Sequence, residues 1–218
     1  MWMAVTGLGL TLFVIVHMLG NLQIYLGQKA LNDYAEKLKS LPLLLWSARL
    51  GLLAIFVSHL ALAIYLKRRN RVARPQRYVI NDPIETTLAS RTMLSSGLTI
   101  LAFVTYHLLH FTLGVTDPGS FELTDGAGRH DVYSMVVLGF RNVYVSGAYI
   151  VAMGFLALHL SHAASSVFQT LGLASSSNRG KLHLAGLVLA SVILVGNISI
   201  PISVMAGVLG LPADGATP

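Results

Sequence analysis

The chain has 218 residues, of which 54% are hydrophobic and only 11% charged, and its mean hydropathy of +0.68 is that of an integral membrane protein, not a soluble one. It contains no cysteine, which excludes disulfide bonds and metal centres held by thiolates of this chain. The formal net charge of +6 could attract nucleic acid, but the basic residues cluster at the edges of apolar stretches, where they more simply set orientation in a membrane.

Five stretches reach the roughly 20 mostly apolar residues that a membrane helix needs. They are predicted at about 3–26, 43–66, 91–115, 141–171 and 182–211. Pro201 lies inside the fifth stretch and predicts a kink there. The first stretch is longer than the apolar core of a signal peptide, so no cleavage is expected. The predicted fold class is an all-α integral membrane protein, with residues 1–218 forming one domain of five transmembrane helices.

The connection at about 116–140 is the longest, and it is polar with glycine-rich turns around Gly126 and Gly128. It is too short to form a catalytic domain, so this chain is not expected to bind a dinucleotide or a flavin outside the membrane.

The distribution of lysine and arginine predicts the orientation. One face, which includes the amino terminus, has nine: Lys67, Arg68, Arg69, Arg71, Arg74, Arg77, Arg91, Arg179 and Lys181. The other has six: Lys29, Lys37, Lys39, Arg49, Arg129 and Arg141. The excess predicts that the first face is cytoplasmic.

Four of the eight histidines lie inside separate apolar stretches: His17, His59, His107 and His159. A ring nitrogen in hydrocarbon has no water to bond, so it needs a charge, a carbonyl or a metal as its partner. Every acidic residue lies outside the apolar stretches, and neutral imidazole is the commonest protein ligand of metals. The four together predict two histidine pairs, each holding the iron of one non-covalently bound haem.

The depth of each histidine sorts the four into two levels. His59 and His159 lie 8 and 12 residues from the predicted cytoplasmic ends of their helices, whereas His17 and His107 both lie 16 residues away. At about 1.5 Å per residue, these depths are roughly 12–18 Å and roughly 24 Å. The predicted pairs are therefore His59 with His159 nearer the cytoplasm and His17 with His107 nearer the outside. Two histidine ligands leave no open position on iron, so such a haem carries single electrons.

Each histidine also has a simpler interpretation. A lone histidine in a membrane helix is more often a hydrogen-bonding group between helices. His110 and His162 lie three residues beyond His107 and His159, on nearly the same helix face. Either could replace its neighbour as a ligand, line a quinone pocket or bond a carbonyl.

Six segments of the chain share a resemblance to one family. They are MAVTG at 3–7, HMLGNL at 17–22, ASRTM at 89–93, HLSH at 159–162, FQTLG at 168–172 and GNISIP at 196–201. With these segments the chain resembles, over nearly its whole length, the cytochrome b membrane anchor of succinate dehydrogenase and quinol:fumarate reductase, in its five-helix, dihaem, single-subunit form. The family's ligand positions fall on His17, His59, His107 and His159.

The resemblance implies an anchor that holds two haem b groups and binds a flavoprotein subunit and an iron–sulfur subunit on the cytoplasmic side of a bacterial membrane. Electrons from succinate would pass through those partners to the haem of His59 and His159, then to that of His17 and His107, and on to a membrane quinone. The chain would be the quinone-reactive subunit of a tricarboxylic acid cycle enzyme and perform no dicarboxylate chemistry itself. Some members carry a glutamate for proton transfer two residues before the fourth ligand, where this chain has Ala157.

Polar residues near each histidine pair are candidates for binding a quinone, which needs an apolar slot with a few donors. Near the outer pair they are Asn21, Gln23, Arg49 and His110, and near the inner pair Ser95, Ser96, His162 and Gln169. Arg49 could equally pair with a haem propionate or a lipid phosphate. Ser95, like other serines in membrane helices, more often bonds its own backbone.

Three other functions remain open. The first is a structural membrane anchor without haem. The second is the dihaem cytochrome b of another quinone-linked enzyme, such as a hydrogenase or formate dehydrogenase. The third is a transporter or channel, which is expected to have ionisable groups along a path and broken helices near the midplane.

Overall fold

The computed structural model describes residues 1–73 and 91–212. Within these residues, five helices are long and apolar enough to cross a membrane: Trp2–Leu26, Pro42–Val72, Met93–Thr112, Val143–Thr170 and Arg179–Met205. The prediction of an all-α membrane protein with five spanning helices is confirmed.

Eight described α-helices are numbered here in chain order. They are α1 Trp2–Asn21, α2 Gln28–Lys39, α3 Pro42–Val72, α4 Met93–His107, α5 Pro118–Phe121, α6 Val132–Arg141, α7 Val143–Thr170 and α8 Arg179–Met205. A 3-10 turn, Leu22–Leu26, extends α1, and a π-helical turn, Leu108–Thr112, extends α4.

The predicted helix bounds differ from the observed ones where local signals override hydropathy. The second predicted span, 43–66, continues to Val72 because lysine and arginine are good helix formers and extend α3 beyond its apolar part. The fifth, 182–211, begins at Arg179 and ends at Met205, shortly before Gly207, whose φ of 73° is the left-handed conformation that ends many helices. Arg74 and Arg77, part of the predicted basic cluster, lie outside the described residues.

The third and fourth predicted spans are shorter in the structure. The third, 91–115, runs from Met93 to Thr112 and stops before Gly114, whose φ is 65°. The fourth, 141–171, begins at Val143 because Asn142 caps α7, its side-chain oxygen accepting the backbone N–H of Tyr144 at 3.0 Å. Pro201 lies within α8, which continues past it, and the kink remains a prediction.

Close packing within the bundle centres on α7 and α8, where Gly186 of α8 lies against Ala164 and Ser161 of α7. Helix α4 packs on α7, and α1 packs on α3, α7 and α8. Helix α3 lies at the edge of the bundle against α1 and α2, and none of its residues is buried. Many of its apolar side chains are therefore exposed, as expected for a helix at the edge of a membrane bundle.

One end of the bundle is closed by a folded cap, which consists of the 3-10 turn, α2, α5 and α6. Its apolar core includes Ile24, Leu31, Val137 and Phe140 and continues into α7 and α8. The connection at 116–140, expected to be a polar loop, instead contains α5, most of α6 and an isolated bridge between Thr124 and His130. We call this the cap end, and the opposite end, which carries Met1, the basic end.

A buried polar network holds the cap together. The Asn32 side-chain amide of α2 donates to Asp125 at 3.2 Å and to Asp131 at 3.0 Å, and its oxygen accepts the backbone N–H of Tyr133 at 3.1 Å. Arg129 forms ion pairs with Asp125, at 2.7 Å, and with Asp33. Asn32 therefore connects α2 to the segment that leads into α6.

Charges in this network are stabilised in their ionised forms. Burial opposes ionisation of Asp125, but hydrogen bonds from Arg129, Asn32 and the Ala127 backbone outweigh it and lower the pKa of that carboxyl to about 2. Burial likewise opposes ionisation of Asp131, and the hydrogen bonds of Ser134 and Asn32 lower its pKa. Both carboxylates therefore remain charged at neutral pH.

Candidate functional site

The histidines predicted to form the outer pair lie together at the cap end of the membrane span. The ring centres of His17, near the end of α1, and His107, the last residue of α4, are 5.7 Å apart, with ring planes at 85°. Two imidazoles on opposite sides of one metal, each at about 2.0–2.1 Å, bring their ring centres to about 6 Å. The separation therefore suits two ligands of a single metal.

The two outer rings have different surroundings. The His107 Nδ1 atom lies 3.3 Å from the hydroxyl of Tyr149 on α7, and the same hydroxyl lies 3.2 Å from Nδ1 of His110. The His17 ring stacks on Phe13 with centres 5.3 Å apart, and no side-chain hydrogen bond reaches it from the described residues. A hydroxyl group thus orients only one ring of this pair.

A threonine hydroxyl contacts the first histidine of the inner pair. The Thr6 Oγ1 atom of α1 lies 3.0 Å from Nδ1 of His59 on α3. The same hydroxyl is positioned to donate to the backbone carbonyls of Trp2 and Met3, both at 3.1 Å. If the hydroxyl hydrogen is donated to the backbone, the hydroxyl oxygen accepts from the His59 ring.

The second inner histidine has a matching arrangement. Ser96 Oγ of α4, fully buried, lies 3.1 Å from Nδ1 of His159 on α7 and 3.1 Å from the carbonyl of Met93, to which it can donate. A hydroxyl on a neighbouring helix therefore orients each of the two inner rings.

These hydroxyl contacts suit one particular tautomer of the imidazoles. A neutral ring carries one hydrogen, and if Nδ1 donates it to a hydroxyl oxygen, Nε2 keeps a free lone pair. A free Nε2 beside an Nδ1 that donates to an acceptor is the usual arrangement of a metal-bound histidine. His59, His107 and His159 fit this description, whereas His17 lacks the oxygen partner.

Helices α1 and α4 contribute to both levels in the same way. On each, a hydroxyl residue is followed by glycine, Thr6-Gly7 and Ser96-Gly97, and a histidine lies eleven residues beyond the hydroxyl, at His17 and His107. Eleven residues are about three helical turns, so hydroxyl and histidine share a helix face and lie about 16 Å apart along it. Each of these two helices therefore supports one inner histidine and supplies one outer histidine.

The glycines of these pairs keep the space beside the inner rings open. A side chain added at Gly7 would lie 3.5 Å from the His59 ring, and one added at Gly97 would lie 3.7 Å from the His159 ring. The described residues include no group of three or more histidine and acidic side chains that could enclose a bare metal ion. Open space beside an imidazole is what a haem group would need in order to reach it.

The predicted quinone contacts do not converge on one pocket. Arg49 is exposed on α3 with its guanidinium over the Trp46 ring at 5.3 Å, and His110 is buried against Tyr149. His162 contacts Ser166 of its own helix at 3.2 Å. Of the other candidates, Asn21 and Gln23 are half-buried at the end of α1, Ser96 contacts His159, and Ser95 and Gln169 are exposed.

Among the grooves on the surface of the described bundle, two lie beside α1. One, of about 670 Å³, lies between α1 and α3 and includes Thr6, Ser58 and Tyr65 among its lining residues. The other, of about 420 Å³, lies between α1 and α8 and is almost wholly apolar. None of the predicted quinone contacts lines either groove, and quinone binding itself remains a prediction.

The contacts that Thr6 and Tyr149 make with histidines were not predicted from the sequence. A signal for Thr6 does exist in the sequence. On both α1 and α4, a hydroxyl residue is followed directly by glycine, and a histidine lies eleven residues beyond the hydroxyl. Tyr149 has no comparable signal, because its position depends on the packing of α7 against α4 and on the π-helical turn.

Comparison with known proteins gives no match to a protein-family model, to a curated protein or to a solved structure. The function of the chain is therefore argued from the chemistry of the site, because a fold class alone hosts many functions.

Proposed function

We propose that this chain is a dihaem cytochrome b membrane anchor of a succinate:quinone oxidoreductase, which connects an iron–sulfur subunit to a membrane quinone. Haem iron with two imidazole ligands supplies one-electron transfer and leaves no open position for oxygen. The proposed ligands are His59 with His159 at the inner level and His17 with His107 at the outer level.

The observation that carries this proposal is the orientation of the imidazoles. Hydroxyl groups from three different helices contact Nδ1 of three of the four rings, which leaves Nε2 free on each. A histidine that only joined two helices would also make one such bond, so a single ring does not separate the two functions. Repetition of the same arrangement at two depths favours ligation over simple helix association.

The residues around the rings have separate tasks in this proposal. Thr6 and Ser96 hold the inner rings, and Tyr149 holds His107. Apolar side chains of the spanning helices exclude water, which also keeps the four imidazoles neutral because no acidic residue lies within the described spanning helices. A neutral ring is the form that can bind iron.

The basic end is the proposed docking surface for the partner subunits. Exposed basic residues extend α3 beyond its apolar part and begin α8: Lys67, Arg68, Arg69, Arg71, Arg179 and Lys181. Their number favours a cytoplasmic position for this end in a bacterial membrane. The flavoprotein and iron–sulfur subunits would then bind here, nearer to His59 and His159 than to the outer pair.

Haem content tests the proposal directly. The purified chain, expressed with ample haem supply, is expected to bind about two haems per polypeptide and to show the reduced-minus-oxidised spectrum of haem b. Alanine at any one of the four histidines should remove one haem, because each haem needs both of its ligands. His183→Ala is the matched control, since His183 is exposed on α8.

A colourless preparation would contradict the proposal and favour a haem-free anchor. Partner identity is tested separately by mild detergent extraction from the native membrane. Co-purification of a flavoprotein with succinate dehydrogenase activity is expected. Co-purification of a hydrogenase or formate dehydrogenase instead would leave the proposed haem ligands unchanged but contradict the proposed succinate:quinone oxidoreductase.

A further inference from the structure

Tyr149 of α7 is the one tyrosine whose hydroxyl contacts two histidines in the described chain. The hydroxyl lies 3.3 Å from Nδ1 of His107 and 3.2 Å from Nδ1 of His110. It has a single hydrogen, so it can donate to only one of the two rings and must accept from the other. The direction of this pair of bonds determines the tautomer of His107.

A π-helical turn follows His107 and includes His110. Residues three apart on a helix lie on nearly the same face, so both rings can reach one hydroxyl. Here the backbone N–H of Leu113 bonds to the carbonyl of Leu108, five residues earlier, at 2.9 Å. Such turns are rare and frequently occur at functional sites.

Aromatic packing fixes the phenol. Tyr149 is 6% exposed and makes edge-to-face contacts with Phe103 at 4.9 Å and Phe140 at 5.0 Å between ring centres. The His110 ring stacks on Phe111 at 3.9 Å. These contacts leave the hydroxyl hydrogen as the main remaining freedom of the group.

The cap holds His110 in place. A Cβ atom added at Gly139 of α6 would lie 3.0 Å from both Nε2 and Cε1 of His110, so the backbone of α6 closes the space around the ring. His110 is 5% exposed. Its Nδ1 is thus kept directed at Tyr149 by an element outside the spanning helices.

We propose that Tyr149 is a positioning residue for the outer haem, an inference that rests on the proposed function. Its hydroxyl accepts from Nδ1 of His107 and donates to Nδ1 of His110, which leaves Nε2 of His107 free for iron. His110 is therefore the acceptor that sets the direction of the phenol and is not a ligand.

This arrangement makes the two ligands of the outer haem unequal. An acceptor on Nδ1–H makes an imidazole a stronger electron donor, which favours oxidised iron and lowers the reduction potential. His107 has such an acceptor in Tyr149, and His17 has none from the described residues. Loss of the phenol oxygen should therefore raise the potential of the outer haem and leave the inner haem unchanged.

The test compares Tyr149→Phe with Tyr106→Phe in the haem-loaded chain. Tyr106 of α4 belongs to the same aromatic cluster, and its hydroxyl makes no hydrogen bond within the described residues. Optical redox titration and electron paramagnetic resonance of the low-spin haem signals are the readouts. Tyr149→Phe is expected to raise one of the two midpoint potentials and to alter one of the two signals, whereas Tyr106→Phe changes neither.

A second pair of variants tests the direction of the bonds. His110→Ala removes the acceptor, so the phenol hydrogen is no longer held away from Nδ1 of His107 and the hydrogen bond from that ring weakens. We expect two haems to remain bound and the outer midpoint potential to rise as in Tyr149→Phe, with recovery in His110→Gln, whose side-chain oxygen accepts a hydrogen bond but does not replace imidazole as a ligand.

The outcomes separate this inference from the proposed function. Wild-type chain without haem contradicts both. Two haems in the wild type, with potentials and signals unchanged in Tyr149→Phe, overturn the positioning role alone. Loss of one haem in both His110→Ala and His110→Gln makes His110 itself a ligand and also overturns it. Should Tyr149→Phe fail to fold, the His110 pair decides.

Discussion

The hydroxyls beside the inner histidines make a hydrogen bond that is common for serine and threonine in membrane helices. Such side chains bond the carbonyl three or four residues earlier in their own helix. Thr6 and Ser96 both do so, and the hydroxyl oxygen is then presented outward as an acceptor. If the hydroxyl hydrogen stays on that carbonyl, a neighbouring imidazole satisfies the oxygen by donating from Nδ1, which sets the tautomer without a carboxylate.

Ser96→Ala tests this at residue scale. The substitution removes the acceptor of His159 with almost no change in volume, and loss of an outer partner of a metal ligand typically costs 10–100-fold in affinity. We expect about that loss in affinity for the inner haem, measured by haem titration of the apo chain. Ser95→Ala is the matched control, because the Ser95 hydroxyl is exposed and bonds the Thr92 carbonyl. Equal affinity of the two variants would contradict the role of Ser96.

At the scale of elements, hydropathy predicted the five spanning helices because length and apolar content determine them. The same criterion missed α2, whose twelve residues are too few to span a membrane, although Leu31, Tyr34 and Leu38 recur at helical spacing. Tyr34 packs against Gly20 of α1, where an added Cβ would lie 2.8 Å from its hydroxyl. Contacts of this kind depend on how separate helices meet, which periodicity along one helix does not record.

The seam between α7 and α8 yields a prediction about helix packing. A Cβ atom at Gly186 would lie 2.9 Å from Cβ of Ala164 and 3.4 Å from the carbonyl oxygen of Ser161. Gly186→Leu should force the helices apart and lower the free energy of unfolding by about 1–3 kcal/mol. Thermal unfolding in detergent, followed by circular dichroism, measures the effect. Gly180→Leu, on the same helix with no atom within 4 Å of its Cβ position, should leave the midpoint nearly unchanged.

Across the whole molecule, the two ends differ in charge. Within the described residues, every acidic side chain lies at the cap end: Asp33, Glu36, Asp117, Glu122, Asp125 and Asp131. The basic end has exposed lysines and arginines on α3 and α8 and, in the described ranges, no acidic residue. The cap is therefore held by internal ion pairs, whereas the basic end offers its charge to lipid or to a partner protein.

Acid stability of the cap follows from its carboxylates. The pKa of Asp125 in the folded chain, about 2, is below its ordinary value of 3.8, so its contribution to stability is complete above about pH 4 and is lost as the pH falls toward 2. Hydrogen exchange of α2 and α6 should be unchanged between pH 7 and pH 5, after correction for the intrinsic rate, and should rise sharply below about pH 4.

Two variants check the origin of that transition. Asp125→Asn should accelerate exchange in the cap already at neutral pH, because it removes the charge that Arg129 pairs with. Glu122→Gln, an exposed position in the same segment, should behave as the wild type. Faster hydrogen exchange of the cap in the wild type already near pH 5 would show that groups other than Asp125 control its acid stability.

The eleven-residue separation on α1 and α4 has an electrical consequence for the proposed electron carrier. Two levels about 16 Å apart span about half of a hydrocarbon layer roughly 30 Å thick. An electron moving between them crosses about half of the transmembrane voltage. Its free energy therefore changes by about 1.2 kcal/mol for every 100 mV of that voltage. The membrane potential therefore favours one direction of electron transfer through such a protein.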